Sequence, residues 1–187
     1  MQTAPGVNGL FDMGGNVWEW VDTHPDEATL VQALRADAHR PKHARRTARA
    51  LFAEYDLILD GTDNFDTRYM VNRVAVELGK PLISAAITQW EGQVSLFHPA
   101  SGAPCYECVF PVRPAPGMVP TCAEAGVAAP LPGVIGSIMA MEAVKHVTGA
   151  GETLKGRLMI HDALYAEVRV IGVKRRADCP VCGGPSS

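Results

Sequence analysis

The chain has 187 residues, the length of one domain or one and a half. It is 47% hydrophobic and 20% charged, so a packed core is expected and a wholly disordered chain is excluded. A formal net charge of −3 argues against a nucleic-acid binder driven by bulk electrostatics. No stretch approaches the ~20 uninterrupted apolar residues of a membrane span. The segment Met1–Gly6 carries neither a basic nor an apolar signal region. A cytoplasmic protein without nucleic-acid or membrane partners is the expectation.

Residues 1–22 are rich in Gly, Trp and Asn and show neither a helical nor a strand period. From Pro25 a helix is predicted through Leu30, Val31 and Leu34. Pro41 breaks it, and a second helix is predicted from Ala44 to Ala53. The basic run Arg35, Arg40, Lys42, Arg45, Arg46 and Arg49, with His39 and His43 interleaved, reads as a solvated helix face or as a phosphate-binding patch. Asp56–Asp60 (DLILD) is a short apolar run of the kind buried in a parallel sheet. The turn Gly61–Asn64 follows, then a helix from Phe65 to Leu78 stopped by Gly79 and Pro81. Pro81–Ile87 is the next predicted strand. Strand, helix and strand together make a right-handed parallel crossover, the unit of Rossmann-like sheets.

Gly92–Phe97 is predicted as a further strand. Residues 98–131 form a loop with seven prolines, of a length that is usually functional or pinned by a metal. An apolar helix is predicted from Pro132, through Ile135, Met139 and Val147, to Gly149. Two strands, Arg157–His161 and Ala166–Val173, complete the expected α/β fold.

Two Cys-x-x-Cys pairs, Cys105/Cys108 and Cys179/Cys182, supply four soft thiolates, the closed tetrahedral complement of a structural zinc site. The interval between the pairs exceeds a zinc-finger loop, so the metal is expected to staple the tail to an internal loop. Five cysteines, four of them in close pairs, fit zinc in a reducing compartment better than disulfides. The turn Asp60–Asn64 closes a parallel strand at its C-terminal end, where open α/β sheets bind ligands. Its carboxylates could hold Mg²⁺ on a nucleotide, with Asn64 beside them. Equally, Thr62 or Asp63 could simply cap the next helix. Cys122, in Thr121–Gly126 (TCAEAG), is either an exposed reactive thiol or an inert loop cysteine.

These stretches together resemble the MoeB/ThiF/HesA family, bacterial relatives of ubiquitin-activating enzymes. The likeness rests on YDLILDGTDNFDTRY (55–69), GKPLISAAITQWEGQVSLF (79–97), CYEC (105–108), TCAEAG (121–126), PGVIGSIMAMEAVK (132–145) and CPVCGG (179–184). It implies ATP-dependent adenylylation of the C-terminal glycine of a ubiquitin-like sulfur carrier by a homodimeric enzyme. The loop and zinc motifs resemble MoeB more than ThiF. By the same resemblance Asp63 is the magnesium- and ATP-associated aspartate, with Asn64 at the nucleotide. Arg68 then balances phosphate charge, Cys122 is the family's loop cysteine, and Cys105, Cys108, Cys179 and Cys182 are the zinc ligands.

The resemblance also implies a first nucleotide-binding β-α-β unit with a Gly-rich loop, and neither G-x-G-x-x-G after a strand nor G-x-x-x-x-G-K-[ST] occurs here. In its place GLFDMGGNVWEWV (9–21) resembles a signature of formylglycine-generating enzymes. The expected organisation is therefore a formylglycine-type fragment, 1–22, joined to a partial adenylyltransferase domain, 23–187. Such a chain is expected to bind ATP poorly and to show weak or no adenylylation. A non-catalytic zinc-stabilised carrier-binding module and a sulfatase-modifying type of protein are the alternatives.

Overall fold

The computed structural model describes residues 41–115, 118 and 125–184. The formylglycine-like signature at 9–21, the predicted first helix after Pro25, and Cys122 lie outside them. The first described helix, α1, is Pro41–Ala53. It begins three residues before the expected Ala44, and Pro41 is compatible with a first helical position because its missing N–H costs nothing there. The helix expected ahead of Pro41 lies outside the described residues. Ala44, Ala48 and Phe52, spaced four apart, are buried on its inner side. On the outer side Arg45 and Arg49 both reach Glu77, at 3.0 and 2.7 Å. These two members of the basic run tie α1 to its neighbour.

Strand β1 (Ile58–Asp60) leads through the turn 61–64 into α2 (Phe65–Glu77), and β2 (Leu82–Thr88) lies parallel to β1 with Asp60 opposite Ser84. This is the crossover unit that the apolar runs predicted. Leu78 closes α2, and Gly79, at a φ of +66°, turns the chain toward β2. Strand β3 (Glu91–Phe97) returns antiparallel, followed by β4 (Arg157–Asp162) and β5 (Glu167–Gly172), so the sheet order is β1-β2-β3-β4-β5. The long loop after β3 carries a 3₁₀ turn at Pro99–Ser101 and a short helix α3 (Tyr106–Val109). Helix α4 (Leu131–Thr148) starts one residue before the expected Pro132 and ends at Gly149, φ +69°.

Strands β1 to β3 are packed on both faces, which is why β2 reads as a mostly apolar run. Leu82 and Phe97 point to one side and meet Val71, Val74 and Ala75 of α2, Ala48 and Phe52 of α1, and Tyr106. Ile83, Ala85, Val94, Leu96 and Met159 point to the other and meet Leu131, Ile135 and Met139 of α4. Gly92 lets α4 come close: a Cβ there would sit 2.2 and 2.4 Å from Cδ1 and Cγ1 of Ile135. The buried carboxylate of Glu142 accepts the Leu154 N–H at 2.6 Å and pairs with Lys145, fastening the end of α4 to the approach to β4. Strand β5 is exposed along its whole length.

Substituting Gly92→Val forces Ile135 off the sheet and is expected to destabilise the fold by about 1–3 kcal/mol, the usual cost of overpacking. Urea unfolding measures this, and Ile135→Ala in the same background should recover part of the loss. A Gly92→Val protein as stable as the parent would refute the close approach.

Candidate functional site

Cys105, Cys108, Cys179 and Cys182 converge, all four buried and all four sulfurs within 4.8 Å of one another. The closer Sγ pairs are Cys105–Cys108 at 3.8 Å, Cys105–Cys179 at 3.6 Å and Cys108–Cys182 at 3.3 Å. Four thiolates at ~2.3 Å from a tetrahedral ion stand about 3.8 Å apart, whereas a disulfide would bring two sulfurs to ~2.05 Å. The separations therefore fit a metal ion, and the four thiols are free of disulfides. Burial, followed by the neighbouring thiols, pushes the Cys105 thiol far up. Burial and the Cys108 thiol bring Cys182 up to about 11. Burial also raises Cys179, but N–H groups of Cys182 and Val181, together with the Cys105 and Cys108 thiols, outweigh it and leave that thiol at about 7. A cation among these sulfurs replaces protons that burial otherwise holds in place.

Each cysteine pair is a tight turn. The Cys108 N–H bonds the Cys105 carbonyl at 3.1 Å, and the Gly183 N–H bonds the Cys179 carbonyl at 2.8 Å. A Cβ on Gly183 would fall 2.4 Å from that carbonyl oxygen and 2.5 Å from the Ala177 carbonyl oxygen. The Arg176 N–H points at Cys108 Sγ, 3.4 Å away, and Arg175 donates to the Cys182 carbonyl, 3.0 Å from its Nε. The two residues inside the first pair dock it to the domain. Tyr106 sits edge-on to Tyr69 and Phe97, at 5.4 and 5.8 Å between centroids. Glu107, 3% exposed, accepts Arg73 through both oxygens at 2.9 and 3.1 Å and the Asn72 amide at 3.3 Å. Asn72 in turn accepts the Tyr106 N–H at 3.0 Å. Asn72, Arg73 and Glu107 are supporting residues that the Cys-x-x-Cys spacing did not disclose.

The second constellation is the turn at the C-terminal end of β1. The helix cap falls on Asn64, whose Oδ1 accepts the Thr67 N–H at 2.8 Å; neither Thr62 nor Asp63 caps α2. Asp63 and Asn64 are exposed at the turn's outer side. Beneath them Asp60 is buried and accepts the Thr62 N–H at 3.0 Å and the Ser84 hydroxyl at 3.2 Å. Arg68 is buried too. Its guanidinium donates to the Ala85 carbonyl at 2.6 Å, to Ser84 Oγ at 3.3 Å and to the Thr62 carbonyl. Thr62 Oγ1 is buried without a hydrogen-bond partner. Asp63 and Asn64 thus stand together, exposed, beyond the C-terminal end of β1, while Arg68 lies under the turn.

Cys122 lies outside the described residues, but both flanks of its loop are anchored. On one side Tyr69 Oη donates to the Phe110 carbonyl at 2.8 Å, and Arg113 pairs with Asp66 in the first turn of α2. On the other, Gln89, at a φ of +45°, donates to the Gly126 carbonyl at 3.2 Å and accepts the Ala128 N–H at 2.8 Å. Among the described residues no helix is long and apolar enough to cross a membrane.

A profile of the ThiF family matches residues 27–181. A sulfur carrier protein adenylyltransferase of Thermus thermophilus is 48% identical over 158 residues, 82% of this chain and 58% of the relative. A probable adenylyltransferase/sulfurtransferase MoeZ of Mycobacterium tuberculosis is 45% identical over 178 residues, 93% of this chain and 45% of the relative. A SAMP-activating enzyme E1 of Haloferax volcanii is 41% identical over 160 residues, 83% of this chain and 58% of the relative. The chain thus spans about half the length of the curated relatives it matches. Among solved structures, Escherichia coli MccB with MccA-N7isoASN superposes with a TM-score of 0.60 at 18% identity, over 73% of this chain and 44% of that one, a likeness of fold. The formylglycine-type resemblance of residues 9–21 finds no support in these comparisons.

Elemental analysis of the purified chain is expected to give one metal ion per chain, bound by the four cysteines. Gly183→Ala, which crowds two carbonyl oxygens, should lower metal retention against a chelator by about tenfold or more, the scale of outer-shell damage. A folded, metal-free protein, or a Gly183→Ala variant that holds its metal unchanged, would contradict the assignment.

Proposed function

The chain belongs to the ThiF family, and on that premise we propose that it supplies the magnesium-facing and metal-stabilised part of an adenylyltransferase that activates a ubiquitin-like sulfur carrier. The observation that carries the reading is the match over residues 27–181 together with the Asp63–Asn64 pair, exposed where a parallel strand meets a helix N-terminus. In the proposed reaction the carrier's C-terminal glycine carboxylate attacks the α-phosphorus of ATP. An acyl-adenylate forms and pyrophosphate leaves.

In this reading the Asp63 carboxylate would hold a magnesium ion, whose charge would offset that of the phosphates. The Asn64 side chain keeps its amide N–H₂ free for the nucleotide, because only its oxygen is used in capping α2. The α2 N–H groups add positive potential at the same edge. This chemistry depends on positioning and charge neutralisation more than on proton transfer. The metal of the four cysteines is read as zinc. With all four positions filled by thiolates it is structural and takes no part in the reaction. Cys122 is read as a carrier of covalent carrier or sulfur adducts. A homodimer is supported by α4, whose outward residues Val134, Met141, Val144 and Val147 are apolar and exposed although its inner side is already buried.

Carrier-dependent ATP–pyrophosphate exchange is the test. The chain contains no Gly-rich phosphate loop of either standard spacing, so exchange by the chain alone is expected to be weak or absent. Placing a family β-α-β unit with such a loop ahead of residue 27 should establish carrier-dependent exchange. Asp63→Asn in that fusion should reduce it about a hundredfold or more, in keeping with loss of a metal-held transition-state contact. A folded, metal-loaded fusion that binds carrier without exchange would favour a non-catalytic binding module.

A further inference from the structure

Arg68 lies too deep to act as a simple phosphate cation. It is 6% exposed, and its surroundings are buried too: Asp60 at 3%, Ser84 at 5% and Thr62 at 9%. The bonds among them close into a ring. Asp60 Oδ1 accepts the Thr62 N–H, and the Thr62 carbonyl accepts Arg68 Nη2. Arg68 Nη1 donates to Ser84 Oγ, and the Ser84 hydroxyl donates to Asp60 Oδ2. A further bond from Nη1 to the Ala85 carbonyl, at 2.6 Å, pins the ring to β2. The guanidinium and the Asp60 carboxylate are thus both buried and are bridged by one hydroxyl. Each supplies the charge that makes burial of the other tolerable.

The ring encloses the backbone of residues 60–62, immediately before Asp63. Two of its bonds hold the N–H and the carbonyl of Thr62, so both peptide planes flanking that residue are fixed from below. Asn64 is fixed from the other side through its cap and through its carbonyl, which accepts the Arg68 N–H at 3.2 Å. We infer that Arg68, balanced by Asp60 through Ser84, is a positioning residue whose fork of donors sets the shape of the 61–64 turn and so aims the Asp63 carboxylate at its cation. The inference rests on the proposed role of Asp63. It differs from a direct phosphate contact in one respect that can be measured. A cation that merely attracts phosphate repels a divalent metal, so its removal should leave metal binding at Asp63 unchanged or strengthen it. A positioning residue does the opposite.

The probe is Mn²⁺ alone, without nucleotide, added to the ¹⁵N-labelled full chain, with paramagnetic broadening of the Gly61–Asn64 amide signals as the readout. In the parent protein these signals are expected to broaden selectively, and Asp63→Asn should abolish the effect. Arg68→Met should weaken it about tenfold, the size of losing one charge-assisted hydrogen bond. Arg68→Lys, which keeps the charge but loses the planar fork, should recover part of it. Metal content at the four cysteines and the remaining amide spectrum show whether each variant is folded. If Arg68→Met does not fold, Ser84→Ala, which removes only the bridging hydroxyl, should weaken the broadening in the same sense. Unchanged or stronger broadening in a folded Arg68→Met or Ser84→Ala protein overturns the inference and leaves Asp63 as the metal ligand. Broadening that survives Asp63→Asn, or none in the parent, overturns the placement of the cation at this turn and the inference with it.

Discussion

A buried carboxylate fixes the first cysteine pair to helix α2. Glu107 sits between the two cysteines of the first pair, yet it faces inward, gripped by Arg73 and Asn72 of α2. That grip makes the cysteine cluster part of the core and not an appendage. The second cysteine pair arrives from 74 residues further along the chain, and on the described residues its contacts with the first pair are through sulfur. A metal ion joining them closes a long loop whose entropy the unfolded chain would otherwise keep. Glu107 and Tyr106 carry that constraint to α2, Val76 of α2 packs against the cysteines as well, and Tyr106 also meets Phe97 of the sheet.

Helix α2 therefore carries three attachments at successive turns. Its first turn takes the Asn64 cap and the Arg68 ring, the middle takes Tyr106 and Glu107, and Glu77 near its end takes Arg45 and Arg49 of α1. These contacts differ in weight. The Glu77 pairs are exposed, a class worth about 0–1 kcal/mol each. The Asp60, Arg68 and Glu107 groups are buried, and leaving any one without its partner costs several times more, about 3–5 kcal/mol for a buried pair broken on one side. Directional bonds of that kind fix orientation, whereas Val71, Val74 and Ala75 against the sheet supply most of the adhesion.

The sequence made some of this plain and hid the rest for identifiable reasons. Cys-x-x-Cys spacing carries its own chemistry, so the metal cluster was readable without a fold. The run LILD and the stop at Gly79 were enough for the parallel crossover, because a strand buried on both faces leaves an unmistakable apolar block. The cap of α2 was less accessible. Thr62, Asp63 and Asn64 are all good capping residues, and the choice among them fell to Asp60, which takes the Thr62 N–H and tightens the turn before the helix can begin. Arg68 posed a similar difficulty. One helical turn beyond Asn64, it could have pointed to the ligand edge or to β2, and the deciding acceptors, Ser84 and the Ala85 carbonyl, belong to a strand sixteen or seventeen positions away. The four-residue α3 is too short to show any period, and the cysteine spacing gives no sign that Glu107 is buried.

Sharing one helix makes the cysteine cluster and the Asp63 turn mechanically linked without making them interchangeable. From Asn64 to Asn72 the helix rises about 12 Å, at ~1.5 Å per residue. Over that length α2 behaves as a strut, and its middle is held by Val74 and Ala75, both essentially inaccessible in the core. With the metal removed, the sulfur cluster and the tail would be freed, and α3 would be left held by Asn72 and Arg73. The change reaches the Asp63 turn only if the strut itself shifts against the sheet, which the core opposes. Substitutions in the two clusters should therefore combine nearly additively in stability while the core is intact, and should couple once the α2–sheet contact is weakened. The sheet contact of α2, more than either cluster, decides whether this domain responds as two sites or as one.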